Sequence, residues 1–429
     1  MTAQEALPPT APAYGVIGAG PCGLTACKNL LQQGFEVECL EAREDLGGIW
    51  NLAAGRTAAY PSVSMITSKR LSAFADHPMP SGLPPFPSQT QAIDYLQSYA
   101  DRFQLRKHIE FGKRVERAEP QANGWSVQVV GESAPRHYRG LIVASGHHWE
   151  PLMPSWSGTF DGRLMHAFDY TSPQEFEGQR VLVVGAGNTG CDLASEISRY
   201  AADTALSLRR GYHFLPKFMW GAPIDRCGEA FARWRLPLFI YRAIAGCLLR
   251  IAIGSPVRYG LPKPEHRLFE AHPIINSQLL YDVGHGRVRI RPDVTGLDGS
   301  QVCFKDGTDD PFDTIICATG YRPEFPFLPP GQMDNLYLNV FHRERNDLFA
   351  VGLIQPSGSI WSLADYQSQL IAKVLLAARD DRPTAATFAR AKRRDGYRSN
   401  IRYLSSDRHR LEVEYFGYER SLKTHLARF

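Results

Sequence analysis

Residues 14–41 constrain the chain more than any other stretch. A short apolar run, Gly15-Val16-Ile17, leads into Gly18-Ala19-Gly20-Pro21-Cys22-Gly23. A helical pattern follows through Leu24, Ala26, Leu30 and Leu31 and stops at Gly34. A second apolar strand over 37–40 ends on Glu41. Strand, glycine turn, helix and acid-terminated strand in this order form a dinucleotide-binding unit. Gly18 permits the tight turn, Gly20 lets the backbone approach a pyrophosphate, and Gly23 lets helix and strand pack closely. The helix N-terminus offers unpaired N–H groups and a partial positive charge to the phosphates. Glu41 can accept ribose hydroxyls and would repel a 2′-phosphate.

The unit recurs. A strand over 180–184 meets Gly185-Ala186-Gly187-Asn188-Thr189-Gly190, and a helix follows over 192–200. The next strand, 205–208, ends on Arg209-Arg210 where the first unit has its acid. Paired guanidiniums there clasp a 2′-phosphate and select NADPH over NADH. The first site, preferring an unphosphorylated ribose, suits FAD. Two such sites in one chain point to two nucleotides that exchange electrons. The expected fold is α/β, with two Rossmann-like domains and the NADPH domain inserted in the FAD domain. The first part of the FAD domain spans 12–152. The NADPH domain, with an apolar insertion over 211–275, spans 153–314. The rest of the FAD domain and a C-terminal arm span 315–429, buried strands at 314–320 and 348–353 completing the FAD domain.

Between the glycine turns, Gly47-Gly48-Ile49-Trp50 offers close backbone approach and a flat indole suited to a flavin ring. Thr90 is placed to cap a helix over 91–103. Strands over 109–111 and 125–130 read as a small antiparallel excursion. The last fifty residues carry helical pieces over 411–418 and 422–426.

A net charge of +4 on 429 residues gives no reason to expect nucleic acid. The eight cysteines form no Cys-x-x-Cys pair and no ligand spacing to histidine, so no metal site is expected. They suit small core positions in a reducing cytoplasm, and the N-terminal dozen residues read as a frayed tail. Residues 231–254 are strongly apolar but interrupted by Arg233, Arg235, Pro237, Arg242 and Arg250. Central arginines make this a poor membrane span. It reads as a helix over a substrate cavity or as a helix on a membrane surface. A homodimer is left open.

The run Phe160-Asp161-Gly162-Arg163-Leu164-Met165-His166-Ala167-Phe168-Asp169-Tyr170 fits Phe-x-Gly-x-x-x-His-x-x-x-Tyr just ahead of the second glycine turn. With Ala318-Thr319-Gly320-Tyr321, Gly352-Leu353-Ile354-Gln355-Pro356 and the pair Asp365 and Gln367, it makes the sequence resemble a bacterial flavin-containing monooxygenase. The resemblance implies that NADPH reduces FAD and that reduced flavin captures O2 as a C4a-hydroperoxide. A soft nitrogen or sulfur of a small molecule is then oxygenated. It assigns Gly18, Gly20, Gly23, Glu41, Gly48 and Trp50 to FAD. Gly185, Gly187, Asn188, Gly190, Arg209 and Arg210 go to NADPH, and Gln355 is a further cofactor residue. His166 matches the signature histidine, in a positioning role.

One position departs from the family. Many members have Asn-x-x-Lys beside the flavin; aligned on Lys69, this chain has Ile66 there. Either Thr67 or Ser68 then takes that role or the intermediate is less protected, and a missing donor of this kind costs roughly 2.7–4 kcal/mol. Ile66 keeps an uncoupled NADPH oxidase in view. Baeyer–Villiger oxygenation of a ketone is the other alternative, but that branch follows its signature histidine with Trp and Pro or Asp, where this chain has Tyr170-Thr171. A disulfide reductase would need a cysteine pair at the flavin, and Cys22 and Cys27 lie in the phosphate-binding helix instead.

Overall fold

A computed structural model of the chain describes residues 14–234, 236–394, 399, 401–404 and 410–429. The expected N-terminal tail and Arg235 lie outside the described residues. The chain divides into two compact units. Met1–His147, Pro323–Asn400 and Leu411–Phe429 make one; His148–Arg322 and Ile401–Arg410 make the other.

The first unit starts with β1 (Tyr14–Ile17), α1 (Pro21–Gln32) and β2 (Val37–Leu40), the two strands paired in parallel. Pro21 opens α1, where a missing N–H costs nothing, and Gly34 at φ 74° turns the chain out. Helix α2 (Gln89–Arg102) is capped by Ser88, not by Thr90. Ser88 and Gln91 form a capping box, which needs the acceptor three residues before the glutamine. β3 (Ile109–Glu110) is not part of the antiparallel excursion; it joins the edge of β2 in parallel. The excursion is Val115–Gln121, Gly124–Val129 and Arg136–Tyr138, with Trp125 and Tyr138 fully buried. β4 (Gly140–Val143) then pairs with β1 on its other side.

The second unit is built around a five-stranded parallel sheet. β5 (Arg163–His166), β6 (Arg180–Val184), α3 (Asn188–Ile197) and β7 (Asp203–Ser207) form its first part. Helices α4 (Ile224–Trp234) and α5 (Leu238–Ile253) precede β8 (Arg289–Arg291) and β9 (Thr314–Cys317). The order is β5-β9-β6-β7-β8. β9 was expected to return to the first sheet. It lies instead between β5 and β6, where Ile316 aligns with Met165 and Val183 and all four of its residues are buried. The apolar stretch over 231–254 is two helices, because Pro237 cannot continue α4 and opens α5.

The chain then returns through β10 (Leu336–Tyr337), β11 (Phe341–His342) and β12 (Leu348–Ala350). β12 pairs in parallel with β4, giving the order β10-β11-β12-β4-β1-β2-β3. Helix α6 (Ile360–Arg379) packs on α1. Between them Lys28 Nζ donates to Asp365 Oδ1 (3.1 Å) and to Asp76 Oδ2 (2.7 Å), and Asn29 Nδ2 donates to Asp365 (2.8 Å). Lys28 and Asp365 are both buried, so each charge relies on the other. The tail forms one helix, α7 (Tyr415–Leu426), rather than two pieces; Glu414 caps it by accepting the N–H groups of Phe416 and Gly417.

Candidate functional site

The three glycines of the first turn do different jobs. Gly18 has φ 100°, and a Cβ there would lie 2.8 Å from the Ala144 carbonyl oxygen. A Cβ on Gly23 would fall 1.8 Å from the Gly18 oxygen. Both contacts are with backbone that cannot yield. Gly20 is open by comparison: its Cβ would meet only Gly48, at 3.6 Å. Gly20 and Gly48 therefore face each other with backbone exposed between them. The first turn of α1 has no side-chain cap and no acid, leaving its N–H groups for an anion.

Glu41 is buried at the end of β2. Its Oε2 accepts the Ala19 N–H at 2.6 Å and its Oε1 the Arg43 N–H at 2.9 Å. Burial raises its pKa, and these backbone donors act against the rise. Each oxygen keeps a second lone pair for a ribose hydroxyl.

Arg43 was missed by sequence reasoning. Its guanidinium donates to the carbonyls of Gly48 (2.7 Å), Asn51 (2.8 Å), Ala54 (3.0 Å) and Gly55 (2.6 Å). One side chain thus holds the whole 48–55 loop. Gln89 donates to the Trp50 carbonyl, and Thr57 to that of Ile49 at 2.8 Å. The half-buried Trp50 meets Trp361 edge-on, ring centroids 5.7 Å apart. Trp361 in turn stacks on Tyr95 and Phe74. Gly352 packs against Cys22 of α1, and its N–H is fixed by Gln367 Oε1 at 2.9 Å. The backbone of Gln355 is tied to Leu411 (2.7 Å), while its side chain is half-buried.

Around Ile66 the hydroxyls are bonded within their own segment. Thr67 Oγ1 pairs with Ser72 Oγ at 2.9 Å, and Ser68 Oγ caps the short helix Lys69–Ser72 by accepting the Leu71 N–H. Lys69 donates to the carbonyls of Pro80 (3.2 Å), Ser81 (2.7 Å) and Leu83 (2.5 Å). That uses all three of its protons, so Lys69 clamps the 80–83 loop.

The second turn repeats the first. Gly185 has φ 104°, and a Cβ would lie 2.7 Å from the Ala318 oxygen. A Cβ on Gly190 would lie 1.9 Å from the Gly185 oxygen. Gly187 precedes α3, whose first turn again has neither side-chain cap nor acid. Asn188 turns its Oδ1 to the Ile275 N–H (2.8 Å), tethering that loop to the helix start. Beyond β7 a cavity of about 350 Å³ is lined by Arg209, Arg210, Lys263, Arg291 and Lys305, with Asp306 among the acids. Arg291 is engaged by Asp310 at 2.5 Å. Arg210 lies over the Tyr212 ring, and its Nε is buried with no hydrogen-bond partner among the described residues. This is a cationic recess with an unmet donor, as a phosphate requires.

His166 is buried and held at both nitrogens. Nδ1 accepts the Phe168 N–H (3.1 Å), so Nε2 carries the proton and donates to the Gly320 carbonyl (3.1 Å). Burial lowers its pKa, against that carbonyl bond. A neutral imidazole with both positions used fastens the end of β5 to the Gly320 turn; it is not poised to move protons.

The Flavin-binding monooxygenase-like family matches residues 12–427. Flavin-containing monooxygenase 5 of Homo sapiens is 32% identical over 431 residues, covering 93% of this chain and 80% of its own. Dimethylaniline monooxygenase [N-oxide-forming] 2 of Rattus norvegicus is 34% identical over 387 residues, covering 84% and 72%. OTEMO, solved in complex with FAD and NADP, superposes with a TM-score of 0.69 at 19% identity over 97% of this chain and 98% of its own, a likeness of fold. With a match that runs from before the first glycine turn into the last helix, the chain belongs to the flavin-binding monooxygenase-like family and is a flavin-dependent monooxygenase.

Proposed function

We propose that the enzyme uses NADPH and O2 to oxygenate a soft nitrogen or sulfur of a small molecule, with FAD on the first glycine turn and NADPH on the second. The contrast between the two strand ends carries this reading: a buried carboxylate at Glu41, an unpartnered buried guanidinium nitrogen at Arg210. When bound, FAD activates dioxygen for attack by the soft centre, and NADPH supplies the reducing hydride.

The chain's own groups bind and orient. Gly20, Gly48 and the N-terminus of α1 receive the FAD pyrophosphate, and Glu41 accepts from its ribose. Arg43 holds the 48–55 loop so that Gly48 and Trp50 keep their places beside the ring. Arg209 and Arg210 take the 2′-phosphate of NADPH, and Gly185, Gly187 and Gly190 give its pyrophosphate close approach to α3. Asn188, Gln355, Lys69 and His166 position the segments around these groups. Thr67 and Ser68, directly after Ile66, are the hydroxyls that stand in for the donor Ile66 lacks. None of the eight cysteines is in a disulfide, in keeping with a cytoplasmic enzyme.

A nitrogen substrate is favoured by the relative named for N-oxide formation. The test is coupling: NADPH consumed, N-oxide formed from N,N-dimethylaniline and hydrogen peroxide released are measured together. Product matching NADPH supports oxygenation. If every accepted amine, sulfide and ketone leaves all reducing equivalents in peroxide, the oxidase reading suggested by Ile66 replaces it.

A further inference from the structure

The cationic recess beyond β7 is not built by the end of that strand alone. An antiparallel hairpin, Gln301–Phe304 paired with Asp309–Pro311, brings its turn to the same cavity, and Lys305 is the first residue of the turn. The turn is held at its base. The Lys305 N–H donates to the Asp293 carbonyl at 2.8 Å, tying the hairpin to the loop that leaves β8. The Phe304 N–H donates to the Thr308 carbonyl, also at 2.8 Å. The Phe304 ring is buried, with the Arg291 guanidinium 5.8 Å from its centroid.

The charges around Lys305 are already sorted. Asp310 accepts from Arg289 at 2.9 Å and from Arg291 at 2.5 Å, and Asp203 binds Arg289 as well, at 2.9 Å. Asp306, next to Lys305, turns one oxygen to the N–H (3.0 Å) and the hydroxyl (2.7 Å) of Thr308. Glu265 and Asp293 also line the recess, and neither lies within ion-pairing distance of Lys305. Among the described residues the Lys305 ammonium has no hydrogen-bond or ion-pair partner, and neither has the Arg209 guanidinium. Unpaired cations on separate segments of one recess repel each other until an anion enters between them.

We infer that Lys305 is a third reader of the 2′-phosphate, reaching it from a hairpin remote in sequence from Arg209 and Arg210. The inference rests on the assignment of NADPH to the second glycine turn. Its part differs from that of the arginines. A guanidinium is a planar fork that fixes the orientation of a phosphate, whereas an ammonium is a hydrated point charge. Lys305 is exposed, so it supplies attraction rather than geometry, and salt screens that attraction. A coenzyme with a 2′-hydroxyl offers it no charge to attract, which makes Lys305 a determinant of coenzyme choice.

Isothermal titration calorimetry of the FAD-loaded protein compares adenosine 2′,5′-bisphosphate with AMP, which lacks the 2′-phosphate. Lys305→Met is expected to weaken the bisphosphate about three- to fivefold at low salt, as for an exposed ion pair, and to leave AMP unchanged. The loss shrinks as salt is raised. Lys305→Glu weakens the bisphosphate further, and Lys305→Arg restores most of the affinity. A melting temperature unchanged in all three variants establishes that the turn folds. Wild-type affinity in Lys305→Met and Lys305→Glu, with weakened binding in Arg210→Ala, overturns the role of Lys305 and leaves the NADPH assignment standing. Wild-type affinity in Arg210→Ala as well overturns both. Equal weakening of AMP and the bisphosphate by Lys305→Met also overturns the inference, because the turn would then only shape the recess.

Discussion

Glu41 Oε2 accepts the backbone N–H of Ala19 at 2.6 Å, joining the last group of the second strand to the middle of the glycine turn. The acid that selects the ribose therefore also shapes the loop that receives the pyrophosphate. Glu41→Gln must point its NH2 at one of two N–H donors, those of Ala19 and Arg43. We expect FAD to bind about tenfold more weakly, equivalent to the ~1.5 kcal/mol of a hydrogen bond to a charged group. Equilibrium dialysis measures this; equal retention by both proteins would remove Glu41 from the FAD site.

Gly20→Ala and Gly23→Ala should fail in different ways. The Gly23 methyl would strike the Gly18 carbonyl and cost ~1–3 kcal/mol of stability. The Gly20 methyl has room in the free protein but occupies the space beside Gly48. Expected outcomes are a lowered melting temperature for Gly23→Ala, and an unchanged one with lost flavin for Gly20→Ala. The apoproteins are compared by calorimetry and the flavin content by absorbance.

Arg210→Ala should act on one coenzyme. Removing a charged donor from a phosphate costs ~1.5–3 kcal/mol, so kcat/KM for NADPH should fall roughly ten- to hundredfold. The value for NADH should hardly change. Equal losses with both would mean that Arg210 supports the fold of the recess and does not read the 2′-phosphate.

Lys28→Met strands Asp365 between helices α1 and α6 with only neutral amides for partners. Leaving a buried charge uncompensated costs ~3–5 kcal/mol. Urea unfolding is expected to show this loss, with part of it restored when Asp365→Asn is added. A single mutant as stable as wild type would mean that the pair is hydrated in solution.

Acid should weaken the second unit. Burial lowers the pKa of His166, and that of His148 to about 4, although His148 as a whole residue is only half-buried, which moderates its effect. A histidine with a lowered folded pKa adds stability that is fully present above its unfolded value of about 6.5 and is lost as pH falls through the folded value. The melting temperature should therefore fall between pH 6.5 and pH 4, and less steeply in His148→Gln. Parallel profiles would exclude His148 as a source of the slope.

Both glycine turns were legible because each glycine answers a local demand: a positive φ at Gly18 and Gly185, a backbone neighbour at Gly23 and Gly190. The acid and arginine ends were legible for the same reason, since charge at a strand end is written in the chain. Arg43 was not, because its four acceptors are carbonyls and any residue supplies a carbonyl. The partners of β9 were hidden too: four buried apolar residues state that a strand is covered, not which sheet covers it. Ser88 and Thr90 were separable in principle, since only Ser88 stands three residues before Gln91. For α5 the sequence showed apolar content, but which side faced outward awaited the docking of Tyr241 and Ala245.

Strand β12 lies directly beside β4, yet all five strands of the second unit's parallel sheet are threaded between them in the chain. As the chain leaves the ribosome, β5 to β9 are all available before residue 348 is made. The inner sheet can close while the outer one still waits with the edge of β4 bare. A nascent chain halted before β12 would therefore hold a finished inner sheet and, N-terminal to it, a first glycine turn on a sheet with an unguarded edge, ready to pair with a neighbouring nascent chain. Release of the last hundred residues, which bring β12 and α6, removes that hazard.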